Sequence, residues 1–152
     1  MRNIIKRLIF GLVALGFTSG AIAQPRGTKA EAEAVVKATI SYMKANGKEK
    51  ALAEANKPDS SFRKADLYVF AYDKNGVNLA HSNQKLVGKN LIDMNDADGR
   101  EIIKELLNVG NSREGKGWIS YRWPNPVSRA VEAKESYVEK YQDVYWMCGY
   151  YK

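Results

Sequence analysis

The stretch Asp66-Leu67-Tyr68-Val69-Phe70-Ala71-Tyr72-Asp73-Lys74-Asn75-Gly76-Val77-Asn78-Leu79-Ala80-His81 reads as a β-hairpin and decides the fold. Leu67 to Tyr72 and Val77 to Ala80 are rich in aromatic and β-branched residues, which favour a pleated, half-buried surface. Between them, Asn75 and Gly76 accept the positive φ that a tight hairpin connection demands. Nothing in the hairpin is a catalytic signature, so function must come from what it helps to enclose. After it, Leu86, Val87, Leu91 and Ile92 are set among Gly88, Lys89, Asn90 and Asp93, which predicts a structured crossover rather than a long regular element.

Upstream of the hairpin, Thr28 and Glu31 form a Thr-x-x-Glu capping box. Ala32, Val35, Val36, Thr39, Ile40 and Met43 then recur at spacings of three and four, the apolar stripe of a helix. Gly47 interrupts the pattern, and Lys48 to Asn56 resumes as a shorter helix before Pro58. Downstream, Asp96 or Asp98 caps a helix predicted from about Gly99 to Asn108, with Ile102, Ile103, Leu106 and Leu107 as its apolar face and Gly110 as its stop. Three strand-like runs close the chain: Gly117 to Trp123, about Ser136 to Tyr141, and Val144 to Tyr151. With the hairpin these make about five antiparallel strands, an α+β fold whose sheet carries the first helix on one face and the crossover and later helix on the other. A small pocket can form between sheet and crossover.

The N-terminus has a basic start (Arg2, Lys6, Arg7), an apolar run and the small-residue ending Ala21-Ile22-Ala23. That is the layout of a secretory signal peptide over residues 1–23, cleaved before Gln24. The other reading is a retained membrane anchor, but the 16 residues from Leu8 to Ala23 fall short of the roughly 20 that span a bilayer. Residues 24–152 then form one domain with one core. The full chain carries +7, and removing three basic residues with the leader leaves +4, a modest bias toward anionic ligands. No run of Lys and Arg interleaved with aromatics suggests a nucleic-acid groove. Cys148 is the only cysteine, so no internal disulfide exists, and its apolar surroundings predict packing. One Cys and one His do not furnish a metal site, and no cofactor motif occurs.

The densest mixture of rings and polar donors is Gly117 to Pro126. Period-two alternation puts Ile119, Tyr121 and Trp123 on one face and Trp118, Ser120 and Arg122 on the other. These rings either wall a pocket or simply fill the core. His81 ends the second strand with no nucleophile beside it, which weakens a catalytic role; it reads either as a structural histidine, hydrogen-bonded or solvent-facing, or as a hydrogen-bond donor to a ligand carboxylate. Lys134 is either an ordinary surface cation between Glu132 and Glu135 or, pointing inward, a compact charge for an anion. Asp96-Ala97-Asp98-Gly99 is only a fragment of a calcium loop and fits helix capping better.

Taken in order, Asp66 to Asp73, Asn75-Gly76, Ala80-His81, Leu86 to Asn90, Asp98-Gly99, Gly117 to Pro126, Lys134, Ser136-Tyr137-Val138 and Gly149-Tyr150 resemble the single Cache domain, type two, an extracytoplasmic sensory domain of bacterial chemoreceptors and histidine kinases. The resemblance covers about Thr28 to Tyr151. It implies a PAS-like antiparallel sheet of five to six strands with a long N-terminal helix packed on one face, and a small organic ligand, often a short carboxylate, between sheet and crossover. The ligand-binding positions it implies are His81, Tyr121, Trp123 and Lys134, with Tyr68 and Tyr137 as further wall residues. The expected protein is an exported, periplasmic or secreted module that binds a small organic acid for signal transduction or chemotaxis, with a membrane receptor or kinase as partner and no enzymatic activity. The competing expectation is a protein-interaction module whose pocket is filled by its own Tyr and Trp side chains.

Overall fold

The computed structural model describes residues 25–152, and the signal-peptide reading of residues 1–23 lies outside them. Helix α1 (Lys29–Asn46) starts at the expected capping box, with the Thr28 side chain and Glu31 satisfying each other's backbone N–H. It buries Ala32, Val36, Thr39, Ile40 and Met43. Gly47, at φ 89°, turns the chain into α2 (Lys48–Ala55), which adds Ala51 and Ala55 to the same core.

Strands β1 (Val69–Tyr72) and β2 (Asn78–Ala80) form the hairpin. Its turn is held by Asp73, whose Oδ1 accepts from the backbone N–H groups of Asn75 and Val77 at 2.9 Å each. Gly76 supplies the positive φ (81°) and has Ile92 against its α-carbon, where no side chain fits. Helix α3 (Ile102–Gly110) then precedes β3 (Lys116–Pro124), β4 (Val131–Tyr141) and β5 (Val144–Tyr151). All neighbours are antiparallel, in the order β2-β1-β5-β4-β3, so the PAS-like sheet of the α+β expectation has five strands.

Strict alternation divides the core in two. One face presents Val69, Ala71, Tyr137, Val144, Trp146 and Cys148 to α1. The other presents Tyr68, Phe70, Tyr72, Tyr121, Val138, Tyr145, Met147 and Tyr151 to α3, whose Ile102, Ile103, Leu106 and Leu107 lie inward. Ile119, Tyr121 and Trp123 share the α3 face, whereas Trp118 turns to the α1 side and packs on Tyr137 at 5.2 Å. Cys148 is fully buried, and burial pushes its thiol up to about 12.

Three expectations need correction. Neither Asp96 nor Asp98 caps α3, which starts at Ile102 with no side-chain cap. Asp96 Oδ1 instead accepts from the N–H groups of Asp98 and Arg100, at 2.9 Å each, and closes a turn of its own before the helix. Gly110 is the last helical residue rather than a stop. Its bare α-carbon faces the Tyr145 ring, which a Cβ would meet at 2.5 Å. The fourth strand also begins earlier than Ser136, because β4 pairs with the whole of β3, from Pro124 opposite Val131 to Lys116 opposite Glu139. Lys134 therefore lies inside a strand.

Trp146 has no exposed surface and its indole N–H donates to Met43 Sδ, joining β5 to α1. Trp146→Ala is expected to lower the unfolding free energy by about 3 to 5 kcal/mol, read by urea denaturation. Cys148 is expected to stay unreactive toward thiol reagents until the protein unfolds, with a reaction rate that tracks unfolding.

Candidate functional site

On the α3 face of the sheet, β4 places Lys134 opposite Tyr151 and Ser136 opposite Gly149. The Lys134 stem crosses the bare α-carbon of Gly149, where a Cβ would come within 2.5 Å of Lys134 Cε and 2.2 Å of Ser136 Oγ. Only glycine leaves room for the lysine to lie there. The side chain is 1 % exposed. Its ammonium sits 4.0 Å from the centre of the Tyr68 ring, 4.9 Å from Phe70 and 5.0 Å from Tyr151, a cage of ring faces that attracts a cation. Nζ donates to the Tyr68 hydroxyl at 2.8 Å. No carboxylate is paired with it, and burial brings its titration down from 10.5 to about 7.

The other polar groups are neutral and oriented. Tyr68 and Tyr151 hydroxyls lie 3.4 Å apart, and Tyr151 donates onward to the Pro124 carbonyl at 2.8 Å. Tyr121 and Ser136 hydroxyls are 2.9 Å apart. Burial raises Tyr68, Tyr121 and Tyr151 well above the ordinary phenol range. His81 is buried next to the Tyr68 and Phe70 rings, at 5.2 and 5.9 Å. Its Nδ1 accepts from the Asn83 backbone N–H at 2.8 Å, which leaves the ring proton on Nε2. Burial first, then the nearby Lys134 and Arg63 charges, holds its titration down at about 3, so it is a neutral donor.

These groups enclose an inner space of about 10 Å³, roughly the room of one water, walled by Phe70, Tyr72, Ile102, Ile103 and Leu106 besides the polar residues above. Tyr68, His81 and Trp123 also line an outer cleft of about 390 Å³ that continues over Leu86, Met94, Pro124, Asn125 and Arg129. The arrangement is a small apolar slot with one cation at its end and a wider mouth under the crossover. It offers an anion a charge-assisted partner. Among the described residues no group of three or more His, Cys, Asp or Glu side chains forms a metal site.

Five of the six sequence-derived positions, Tyr68, His81, Tyr121, Trp123 and Lys134, line this slot. Tyr137 does not. It lies one residue out of phase with Lys134 and Ser136, packs on the α1 face, and donates to Glu139 at 2.7 Å. Phe70, Tyr72, Tyr151, Gly149 and the α3 residues Ile102, Ile103 and Leu106 were not anticipated as site residues. For Phe70 and Tyr72 the signal was available, since both are in phase with Tyr68 on β1.

A cage on one face of a five-stranded antiparallel sheet, with a long helix on the other, is a PAS-like α+β arrangement. The family profile for single Cache domain 2 matches residues 18–151, and the chain belongs to that family. The chain is 33 % identical over 85 residues to the sensor histidine kinase MctS of Rhizobium johnstonii and 28 % identical over 85 residues to the methyl-accepting chemotaxis protein McpP of Pseudomonas putida. Each match takes in 55 % of this chain but only 18 % and 15 % of those proteins, respectively, so the chain spans less than a fifth of their lengths. A solved methyl-accepting chemotaxis protein from Vibrio parahaemolyticus superposes with a TM-score of 0.68 at 27 % identity, covering 81 % of this chain and 87 % of that one. A Cache chemosensory domain solved for its carboxylic acid recognition has the same fold, with a TM-score of 0.61 at 23 % identity over 78 % of this chain and 84 % of that one. The family and these relatives support a sensory role in signal transduction. Among the described residues no helix is long and apolar enough to cross a membrane.

At pH 6, where the Lys134 amine is charged, Tyr68→Phe removes its hydroxyl acceptor. The expected cost is about 1.5 to 3 kcal/mol of stability in urea unfolding, with a smaller cost at pH 9, where the amine is neutral.

Proposed function

We propose that this protein is an exported sensory module, periplasmic or secreted, that binds a short monocarboxylate of two to four carbons. The observation that carries the reading is the Lys134 amine, buried without a carboxylate partner at the end of an apolar slot. Its charge favours one carboxylate, with the Tyr68 hydroxyl and the Nε2 donor of His81 beside it. The apolar residues Phe70, Tyr72, Ile102, Ile103 and Leu106 would border a short hydrocarbon tail, for which the rings must part, since the inner space holds about one water. The slot contains no second cation for a dicarboxylate and no free carboxylate for an amino group, since Asp66 is bonded to the Gly27 N–H at 2.7 Å. Carboxylic acid recognition by a structural neighbour supports the same ligand class. The partner that receives the signal is a membrane receptor or kinase, in keeping with the full-length relatives.

A second reading is an interaction module whose rings fill the pocket. It is supported by the inner space of only about 10 Å³. The two separate in thermal unfolding of the protein against monocarboxylates, dicarboxylates, amines and amino acids. A ligand at one hundred times its Kd stabilises the native state by about 2.7 kcal/mol, so a true ligand gives a clear rise in Tm. The rise is expected with short monocarboxylates and lost in Lys134→Met. A flat response from the folded protein across the whole panel, with partner binding unchanged in Tyr121→Ala, supports the interaction module instead.

A further inference from the structure

We propose that this site takes up a proton together with the anion, so that what it captures is an acid equivalent, carboxylate plus H⁺, rather than a carboxylate alone. The proposal rests on the carboxylate reading above and concerns how the site is regulated. The Lys134 amine is enclosed by elements that contribute no compensating negative charge. Tyr68 comes from just ahead of β1, Tyr72 from β1, Tyr121 from β3, Ser136 from β4 and Tyr151 from β5. The segment after β2 contributes His81, and α3 contributes only Ile102, Ile103 and Leu106. Beyond the cage, the Asp66 charge acts on the amine but is tied to Gly27 and Asn125, and Arg63, whose charge acts on His81, donates to the Ser82 carbonyl. Cys148, on the opposite face, stays a thiol.

A carboxylate entering beside a neutral amine buries an uncompensated negative charge, and an ammonium alone in the cage is an uncompensated positive one. Together they form a hydrogen-bonded pair with no net charge. Of the groups facing the slot, the phenols titrate far above neutrality and His81 far below it. Only the lysine changes charge in between. The proton comes from solvent to Nζ, and no covalent bond is made or broken.

The sign follows from linkage. In the free protein the amine loses its proton around pH 7, and a bound carboxylate raises that midpoint. Between the two midpoints the complex holds one more proton than the free protein, so affinity falls about tenfold per pH unit above pH 7. Below pH 7 the amine is charged in both states and affinity is flat until the acid itself is protonated. The module therefore weighs the concentration of an acid by the acidity of the surroundings.

The test is calorimetric titration with propionate at pH 6.0 and pH 8.5, each in phosphate and in Tris, whose ionisation heats differ. At pH 8.5 the heats are expected to differ between the buffers by close to one proton per propionate, and at pH 6.0 hardly at all. Binding at pH 8.5 with buffer-independent heat overturns the proposal and leaves the carboxylate reading standing. A monocarboxylate panel that binds at neither pH sinks the carboxylate reading and this proposal with it. Unfolding measurements without added acid give a separate check. Because the folded amine titrates near 7 and the unfolded one near 10.5, the unfolded chain binds more protons between these values. The wild type is thus expected to gain stability from pH 7 to pH 10 relative to Lys134→Met, and parallel profiles overturn the proposal.

Discussion

An amine buried without a carboxylate partner constrains most of the α3 side of this molecule. Such a group is tolerated only where ring faces and hydroxyls take the place of water, and four strands and the residue leading into one of them contribute them: Tyr68 just ahead of β1, Phe70 from β1, Tyr121 from β3, Ser136 from β4 and Tyr151 from β5. The sheet order brings β1, β5 and β4 side by side so that Lys134 crosses from its own strand over Gly149 of the next to reach Tyr68 at the start of the third. A side chain at Gly149 would end that path. The opposite face carries the ordinary work of stability, with α1 laid over Val69, Trp146 and Cys148. The helix-packed half and the half that holds the lysine cage are thus separated by the thickness of one sheet.

The parts of the fold that follow simple periodicity were legible in the sequence. The capping box at Thr28, the stripe from Ala32 to Met43 and the turn at Asp73 to Gly76 each combine a local signal with a single physical solution. The beginning of β4 was not legible, and the reason is the site itself. Lys134 and Ser136 point inward where a buried strand ordinarily shows apolar residues, so buried polar residues erased the alternation that announces a strand. The start of α3 was missed for another reason. An Asp followed by small and turn-forming residues suits a helix cap and a free-standing turn equally, and the hydrogen bonds of Asp96 chose the second.

For the site, residue type was less informative than phase. Tyr137 has the chemistry of a pocket wall, but its odd position against the even positions of Lys134 and Ser136 sends it through the sheet to α1. The α3 contribution could not be read at all, because Ile102, Ile103 and Leu106 look like any apolar stripe, and only the packing of the helix over the cage turns three of its core residues into slot walls. Residue phase along β1 and β4 therefore identifies the cage, while the tertiary arrangement alone supplies its lid of aliphatic side chains.

The placement of the three tryptophans has an optical consequence. Trp146 is sealed between β5 and α1, Trp118 lies under the Lys29 ammonium at 4.5 Å, and Trp123 alone stands half-buried where the slot opens into the cleft. Its indole is thus the chromophore whose surroundings change when the mouth fills, while Trp146 changes only when the fold is lost. The domain carries one fluorophore for occupancy and another for integrity, on opposite sides of the same sheet.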